Sequence, residues 1–303
     1  MIRVRVPATS ANLGPGFDSL GIALSIYNEY GFSLQDEGIS FEGFEQEFKN
    51  EDNIIFMAMK KVFNKYNFKF KGLKIKIIKQ DIPISRGLGS SSSCIVAGLI
   101  GAFALMNKEL EKEEVFKLAI DIEGHPDNVC PAIFGGLVST VMANGETLYN
   151  KIEIKNGVKF IALIPNFKLS TEKARAILPS EVSFKDSVYN IGRAALLISC
   201  FMNGNYKLLR EATKDRLHQQ YRSKLIEGFD EVYEKASNKQ KDEVYEQLVQ
   251  GGTFNVSKEN LIVDVEKEEE VTVVKAVGQK FCENCGELCP GDSKFCGNCG
   301  NKF

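Results

Sequence analysis

The sequence predicts an α+β protein with two domains and a small metal-binding appendage. Its length of 303 residues favours two domains. Short alternating runs, such as residues 2–6 and 73–77, have the period of half-buried strands, and apolar runs of helical length lie between them. Five of the eight cysteines lie between Cys282 and Cys299. These patterns indicate a body of mixed strands and helices, followed by a cysteine-rich segment.

The composition argues against strong attraction to a polyanion and against a membrane partner. The formal net charge is −2, so no strong attraction to a polyanion is expected. No apolar run is long enough to span a bilayer, and the alternating residues 1–6 lack the apolar core of a signal peptide. We therefore expect a cytoplasmic protein without a membrane partner. The scattered cysteines Cys94, Cys130 and Cys200 are interpreted as buried free thiols.

A loop of glycines and serines stands between a predicted strand and a predicted helix. It contains Pro83, Ile84, Ser85, Arg86, Gly87, Leu88, Gly89, Ser90, Ser91, Ser92 and Ser93. Backbone N–H groups, hydroxyls and the positive end of a helix dipole meet in such a loop, and glycine lets a phosphate approach the backbone. The spacing is neither that of a Walker loop nor that of a dinucleotide fingerprint. The residues alone leave a phosphate site and a plain serine-rich turn equally open.

Two further loops concentrate polar side chains between glycines and prolines. Residues 7–21 carry Asn12 and Asp18 on a path that glycine and proline punctuate heavily. Residues 123–137 place a Glu/His/Asp/Asn cluster close together, at Glu123, His125, Asp127 and Asn128. The alternatives are a self-capping loop in the first case and a structural histidine in the second. We interpret the second group as a site candidate on a rigid loop.

A third candidate follows a predicted buried strand at residues 158–165. A helix is predicted to begin at Thr171, which could cap it, and Arg175 lies one turn further on the same face. A solvated arginine is the alternative, and the spacing by itself favours that alternative.

The cysteine-rich segment has the spacing of a structural zinc site. Cys282 and Cys285 form one C-x2-C-G knuckle, and Cys296 and Cys299 form a second. Four thiolates can surround Zn²⁺ tetrahedrally, which leaves no open position for catalysis. A reduced cysteine-rich tail is the alternative. Cys289 is interpreted as a spectator.

Several of these segments together resemble one family. Residues 7–18 are similar to the first motif of the GHMP kinases in its homoserine kinase form, and residues 87–92 are similar to the second motif, the nucleotide phosphate loop. Residues 123–136 resemble a segment typical of homoserine kinases, and residues 170–175 and 215–219 fit the same subfamily. The resemblance covers residues 1–236.

The resemblance implies a two-domain GHMP-kinase fold. It implies a ribosomal S5 domain 2-like ATP-binding domain at residues 1–150 and a ferredoxin-like domain, present in part, at residues 151–236. Residues 237–278 would be a linker or a substitute segment, and residues 279–303 a zinc ribbon.

The resemblance also implies a reaction, in which ATP and L-homoserine give ADP and O-phospho-L-homoserine, a step towards threonine. Residues 83–93 would bind ATP, and Ser91 and Glu123 would hold Mg²⁺. The residues implied to bind the amino acid are Asn12, Asp18, His125, Asn128, Thr171, Arg175 and Arg222.

The chemistry of a zwitterion is consistent with these residue types. An ammonium group needs a carboxylate, a role given to Asp18, and a carboxylate suits the fork of an arginine. Asp18, Asn128 and Arg175 form the implied catalytic set. Asp18 and Asn128 both neighbour the reacting hydroxyl in the family, and no general base is assigned between them.

One departure from the family keeps a second function open. The third glycine-rich motif, of the type Ser-Gly-Ala-Gly-Pro-Thr, is not found, and residues 251–253 are its nearest trace. The alternative function is therefore a catalytically impaired binding module whose zinc ribbon recruits a protein or a nucleic acid. The identity of that partner and the formation of a homodimer are left open.

Overall fold

A computed structural model describes residues 1–231, 253–254, 262–265, 279–281, 288–290 and 302. The elements in chain order are β1 (Ile2–Ala11), β2 (Leu20–Gln35), β3 (Gly38–Glu42), α1 (Ile54–Lys65), β4 (Gly72–Gln80), α2 (Ser90–Leu105), α3 (Lys112–Glu123), α4 (Pro126–Phe134), β5 (Leu137–Ala143), β6 (Glu146–Ile152), β7 (Phe160–Ile161), α5 (Thr171–Ala176), α6 (Phe184–Asn203), α7 (Leu209–Ala212), α8 (Gln219–Arg222), β8 (Thr253–Phe254), β9 (Ile262–Val265), β10 (Gln279–Phe281) and β11 (Leu288–Pro290). Among these residues, no helix has the length and apolar character needed to cross a bilayer.

Seven of the described strands form one sheet around the long strand β2. Along one path the order is β3-β4-β2-β1-β9, while β5 pairs with the first residues of β2 and then with β6. All pairs are antiparallel except β3 with β4. Because β4 and β5 occupy different parts of the same edge of β2, the chain between them can cross the sheet as helices α2, α3 and α4.

The first hydrophobic core lies between this sheet and helices α1 to α4. Val4, Phe32, Phe63 and Phe103 are among its fully buried side chains. Helix α2 is buried on nearly every side, because its glycines let the neighbouring backbone come close. A Cβ added at Gly98 would lie 2.4 Å from the carbonyl oxygen of Ile55 in α1. This packing fixes the helix whose first turn carries the predicted phosphate loop.

A second buried cluster joins α6 and α7 to the other end of the sheet. Its members are Ala8, Leu20, Ile22, Leu24, Ile26, Ile82, Leu88, Leu137, Ile152, Leu197, Cys200, Phe201 and Ala212. The cluster holds the second half of the chain against the loops at the ends of β1 and β2. Residues far apart in sequence are therefore brought to one end of the sheet.

Two local predictions differ from the structure. The predicted buried strand at residues 158–165 is reduced to the two residues of β7, and Leu163 is 45% exposed. Its described partner, β8, pairs with these two residues. The predicted rigid loop after Glu123 is largely helix α4, with Pro126 at its first position. Proline is favoured there because its missing N–H has no partner within the helix.

The last part of the chain contributes short strands. Strand β9 adds to the β1 edge of the large sheet, and β10 pairs with β11. The predicted zinc ligands Cys282, Cys285, Cys296 and Cys299 lie outside the described residues, as does most of the segment 237–278. The scattered cysteines Cys94, Cys130 and Cys200 are all free. Cys130 and Cys200 are buried as predicted, whereas Cys94, near the start of α2, is only partly buried.

Candidate active site

A cavity of about 670 Å³ opens between the first turn of α2, the first turn of α4 and helix α5. This volume is within the usual range for a small-molecule site. The predicted site residues that line it are Asn12, Ile84, Ser85, Arg86, Gly87, Gly89, Ser90, Ser91, Ser92, Glu123, His125, Asn128, Thr171, Arg175 and Arg222. Most of the residues selected from the sequence are therefore brought together around one space.

The glycine- and serine-rich loop turns directly into helix α2. Gly89 is the N-cap residue with a left-handed φ of 66°, and a Cβ there would lie 2.0 Å from Oγ1 of Thr9. The backbone N–H of Thr9 also donates to the carbonyl of Leu88 at 3.2 Å. The loop is thus held against β1. The N-terminus of α2, with its first backbone N–H groups, lies at the cavity, and a helix N-terminus stabilises an anion.

Glu123 faces this helix N-terminus from the last position of α3. Ser91 Oγ donates to one carboxylate oxygen at 3.1 Å, and Ser92 Oγ donates to the other at 3.0 Å. Within the described part of the chain, no group of three or more histidine, cysteine or acidic side chains is arranged to hold a metal ion. A divalent cation at Glu123 would therefore complete its shell with oxygens of a bound molecule, as Mg²⁺ commonly does with phosphates.

Asn128 is held by a contact to β1. Its Oδ1 accepts a hydrogen bond from Oγ1 of Thr9 at 2.9 Å. Its amide Nδ2 makes no hydrogen bond among the described residues and is available to a ligand. Asn128 can therefore donate a hydrogen bond into the cavity.

Asp18 and Arg175 form an ion pair across 157 residues of sequence. Arg175 Nη1 donates to Oδ2 at 3.0 Å, and Nη2 donates to Oδ1 at 2.5 Å. The carboxylate raises the pKa of Arg175. Asp18 has a left-handed φ of 53°, and its backbone N–H donates to Oδ1 of Asn12, which is itself left-handed at 59°. Such backbone conformations in non-glycine residues are costly and gather at functional sites.

Asp127 is a buried carboxylate beside this pair. It is 1% exposed and lines the cavity, and neither of its oxygens has a hydrogen-bond partner among the described residues. Nδ1 of His125, 3.7 Å from Oδ1, is likewise buried and unpartnered. Burial raises the pKa of Asp127, and the charges of His125 and Arg175 oppose that shift. A buried carboxylate without a hydrogen bond is costly even with His125 beside it, which indicates a ligand with hydrogen-bond donors.

Arg222 enters the cavity from helix α8. Burial lowers its pKa, and the nearby charge of Arg175 lowers it further. In the described structure its guanidinium has no hydrogen bond or ion pair. Its fork is therefore open to an anionic group.

A few predicted residues take other positions. Pro83, Leu88 and Ser93 do not line the cavity, and Asp18 instead lines an adjoining space of about 330 Å³. Arg175 lines both spaces, so the ion pair stands between them. Helix α5 is capped by Ser170, not by Thr171 as predicted, because the Ser170 hydroxyl accepts from the N–H of Lys173 at 3.2 Å.

The sequence places Asp127 in the candidate cluster of residues 123–128 but predicts no role for it. Its position in the first turn of a helix that begins with proline was an available signal, since acidic residues are favoured there. That signal does not distinguish a solvated helix-capping charge from a buried one. The packing of α4 against β2 makes the difference.

Comparison with known proteins identifies the family. Residues 53–136 match the family of the GHMP kinases N terminal domain. A homoserine kinase of Clostridium beijerinckii is 59% identical over 236 residues, which are 78% of this chain and 79% of that protein. A homoserine kinase of Clostridium botulinum is 60% identical over 235 residues, with the same shares covered.

Solved structures share the fold. A crystal structure of homoserine kinase from Cytophaga hutchinsonii superposes with a TM-score of 0.73 at 23% identity, over 87% of this chain and 94% of that one. A putative homoserine kinase from Listeria monocytogenes superposes with a TM-score of 0.71 at 27% identity, over 88% of this chain and 100% of that one. With relatives near 60% identity over more than three quarters of its length, this chain belongs to the homoserine kinase family of the GHMP kinases.

Proposed function

We propose that the protein transfers the γ-phosphoryl group of ATP to the side-chain hydroxyl of L-homoserine. The products are ADP and O-phospho-L-homoserine, and the reaction is a step towards threonine. The observation that carries the proposal is the single cavity, since it joins a helix N-terminus suited to phosphates to charged side chains suited to a zwitterion. The family of the chain supports the same reaction.

The phosphates of ATP would lie on the loop at Gly87 and Gly89 and on the first turn of α2. Ser91 and Glu123 would hold Mg²⁺, whose oxygen ligands are of the kind that these side chains provide. When bound, the ion neutralises charge on the phosphates. Phosphoryl transfer needs positioning and charge neutralisation more than covalent assistance. Asn128, as a hydrogen-bond donor, would orient the reacting hydroxyl or a phosphate oxygen and would not remove a proton.

The acceptor would bind through its two charged groups. Asp18 already accepts two hydrogen bonds from Arg175, while Asp127 has none, so we assign the substrate ammonium to Asp127. The open fork of Arg222 would take the carboxylate, because a guanidinium matches a carboxylate in a bidentate geometry. Asp18 would act by holding Arg175 in place.

The reaction itself is tested by following ADP release with MgATP and L-homoserine. L-2-aminobutyrate, which keeps both charged groups and lacks the hydroxyl, is the matched control. We expect ADP release with homoserine but not with L-2-aminobutyrate. The rate of release should be lower in Ser91→Ala and in Asn128→Ala than in the wild type. Absence of homoserine-stimulated release in the wild type would contradict the proposal, and calorimetric binding of homoserine without turnover would favour the impaired binding module.

Replacing the buried carboxylate by an amide tests the acceptor assignment. In Asp127→Asn we expect the KM for homoserine to rise about 10- to 100-fold, the effect of losing one charge-assisted hydrogen bond of about 1.5–3 kcal/mol. The KM for ATP should stay unchanged. The melting temperature should change little, because the substitution keeps the shape of the side chain and removes a buried carboxylate that has no hydrogen bond among the described residues, while it loses the attraction of His125 and Arg175.

Two controls separate ammonium binding from other roles of Asp127. The analogue 4-hydroxybutyrate lacks the ammonium, so the wild type should discriminate against it and Asp127→Asn should not. Because the pKa of Asp127 is raised, its carboxyl group ionises at a higher pH than usual. The wild-type KM for homoserine should therefore fall as the pH rises through that pKa and the carboxylate that binds the ammonium forms. Equal discrimination in both proteins would refute the assignment.

A further inference from the structure

We propose that Phe17 is a positioning residue, whose ring holds the guanidiniums of Arg175 and Arg222 at the acceptor end of the cavity. The Cζ of Arg175 lies 5.3 Å from the ring centroid, and that of Arg222 lies 5.9 Å from it. Both distances are within the range of a cation–π interaction. The inference rests on the proposed function, since it concerns how that function's acceptor site is built.

The arrangement of charge shows what such a ring adds to the attraction that the carboxylates of Asp18, Asp127 and Asp215 exert on Arg222. Two guanidiniums share one partly buried place, and the pKa of Arg222 is lowered by burial and by the charge of Arg175. Arg175 is compensated by Asp18, whereas Arg222 has no ion pair in the described structure. The negative face of an aromatic ring offsets part of this repulsion without occupying the fork of Arg222. An acidic side chain in the same place would compete with the substrate carboxylate.

The ring is itself held by a second aromatic side chain. His218 packs against it with ring centroids 5.2 Å apart. His218 is 4% exposed, and its Nε2 lies 2.7 Å from the carbonyl oxygen of Gly14. Oδ2 of Asp215 accepts from the backbone N–H of His218 at 2.7 Å. The position of Phe17 is thus set by the same loop and helix that bring Arg222 to the cavity.

The next residue in the chain completes the arrangement. Asp18 binds Arg175 through its carboxylate, and Phe17 contacts the same guanidinium through its ring. The backbone at Asp18 is left-handed and is held by Asn12. Two consecutive residues on one constrained loop therefore position one arginine, and Phe17 also reaches the second.

A graded change of the ring electrons tests the proposal with little change of shape. Phe17 is replaced by site-specific incorporation of phenylalanine carrying one, two or three fluorine atoms, and kcat and both KM values are measured. Fluorine withdraws electron density from the ring face, so the KM for L-homoserine should rise with each fluorine, to about tenfold for three. The KM for ATP should not change. Phe17→Leu should raise the KM for homoserine at least as much. Phe17→Tyr, which keeps an aromatic ring, should leave this KM near the wild-type value.

Fluorination of Phe116, which lies in the first core against Phe134 and Tyr149, is the control for a general effect of fluorine. A KM for homoserine that is flat across the Phe17 series, or that rises equally for Phe116, would overturn the proposal while leaving the reaction intact. A wild type without homoserine-dependent ADP release would instead overturn the proposed function and this inference with it.

Discussion

Glu123→Gln is expected to lower kcat by about 100-fold or more, because a bound metal ion supplies several kcal/mol of charge stabilisation in the transition state. The substitution keeps the shape of the side chain and removes the charge that would hold Mg²⁺ beside Ser91. The serine hydroxyls now donate to the two carboxylate oxygens at 3.1 and 3.0 Å, and an amide offers only one acceptor oxygen. The measurement is ADP release at saturating homoserine over a range of Mg²⁺ concentrations.

Asp121→Asn is the matched control, since Asp121 lies on the same helix and pairs with Lys61 on the surface at 3.2 Å. It removes the same charge and should leave kcat unchanged. A Glu123→Gln enzyme within threefold of the wild type at saturating Mg²⁺ would exclude Glu123 as the metal ligand. Unfolding by denaturant should give wild-type stability for Asp121→Asn and a loss of at most about 1–3 kcal/mol for Glu123→Gln, because the amide leaves one serine hydroxyl without its acceptor.

The phosphate loop is the part of the site that local sequence predicts best. Its glycines, its serines and the apolar run behind them are contiguous, so the helix that begins at Ser90 follows from neighbouring residues alone. The glycines also predict that another group lies close to the backbone of the loop. In the structure that group, beside Gly89, is the side chain of Thr9. That partner is 80 positions away, so its identity depends on the pairing of strands.

The acceptor end of the cavity is less accessible to sequence reasoning. The ion pair of Asp18 with Arg175 joins residues 157 positions apart, and it changes which carboxylate is free for a ligand. The sequence places an aspartate at position 127 but does not predict that it is 1% exposed and unpartnered. Those properties come from the packing of α4 on β2. The predicted strand at residues 158–165 is too long for a related reason, since the extent of a strand depends on a partner elsewhere in the chain.

Gly21→Ala is expected to have the largest effect on folding and on acceptor binding together. A Cβ at this position would lie 1.8 Å from the carbonyl oxygen of Asp127, which belongs to the backbone of α4 and cannot rotate away. Overpacking of this kind costs about 1–3 kcal/mol or more. The displaced helix carries Asp127 and Asn128, so the KM for homoserine should also rise, by at least about tenfold. Denaturant unfolding and steady-state kinetics on the same preparation measure both effects.

Gly192→Ala provides the matched control, because Gly192 lies within α6 and a Cβ there would meet nothing within 4 Å. The same added methyl group should then stabilise the protein by about 0.5–1 kcal/mol, through the better helix propensity of alanine, and leave the KM unchanged. If Gly21→Ala also kept the wild-type stability and KM, the close contact of β2 with α4 would not be what seats the buried carboxylate. Opposite signs for one methyl group would show that the contact, and not the loss of a glycine, positions the acceptor site.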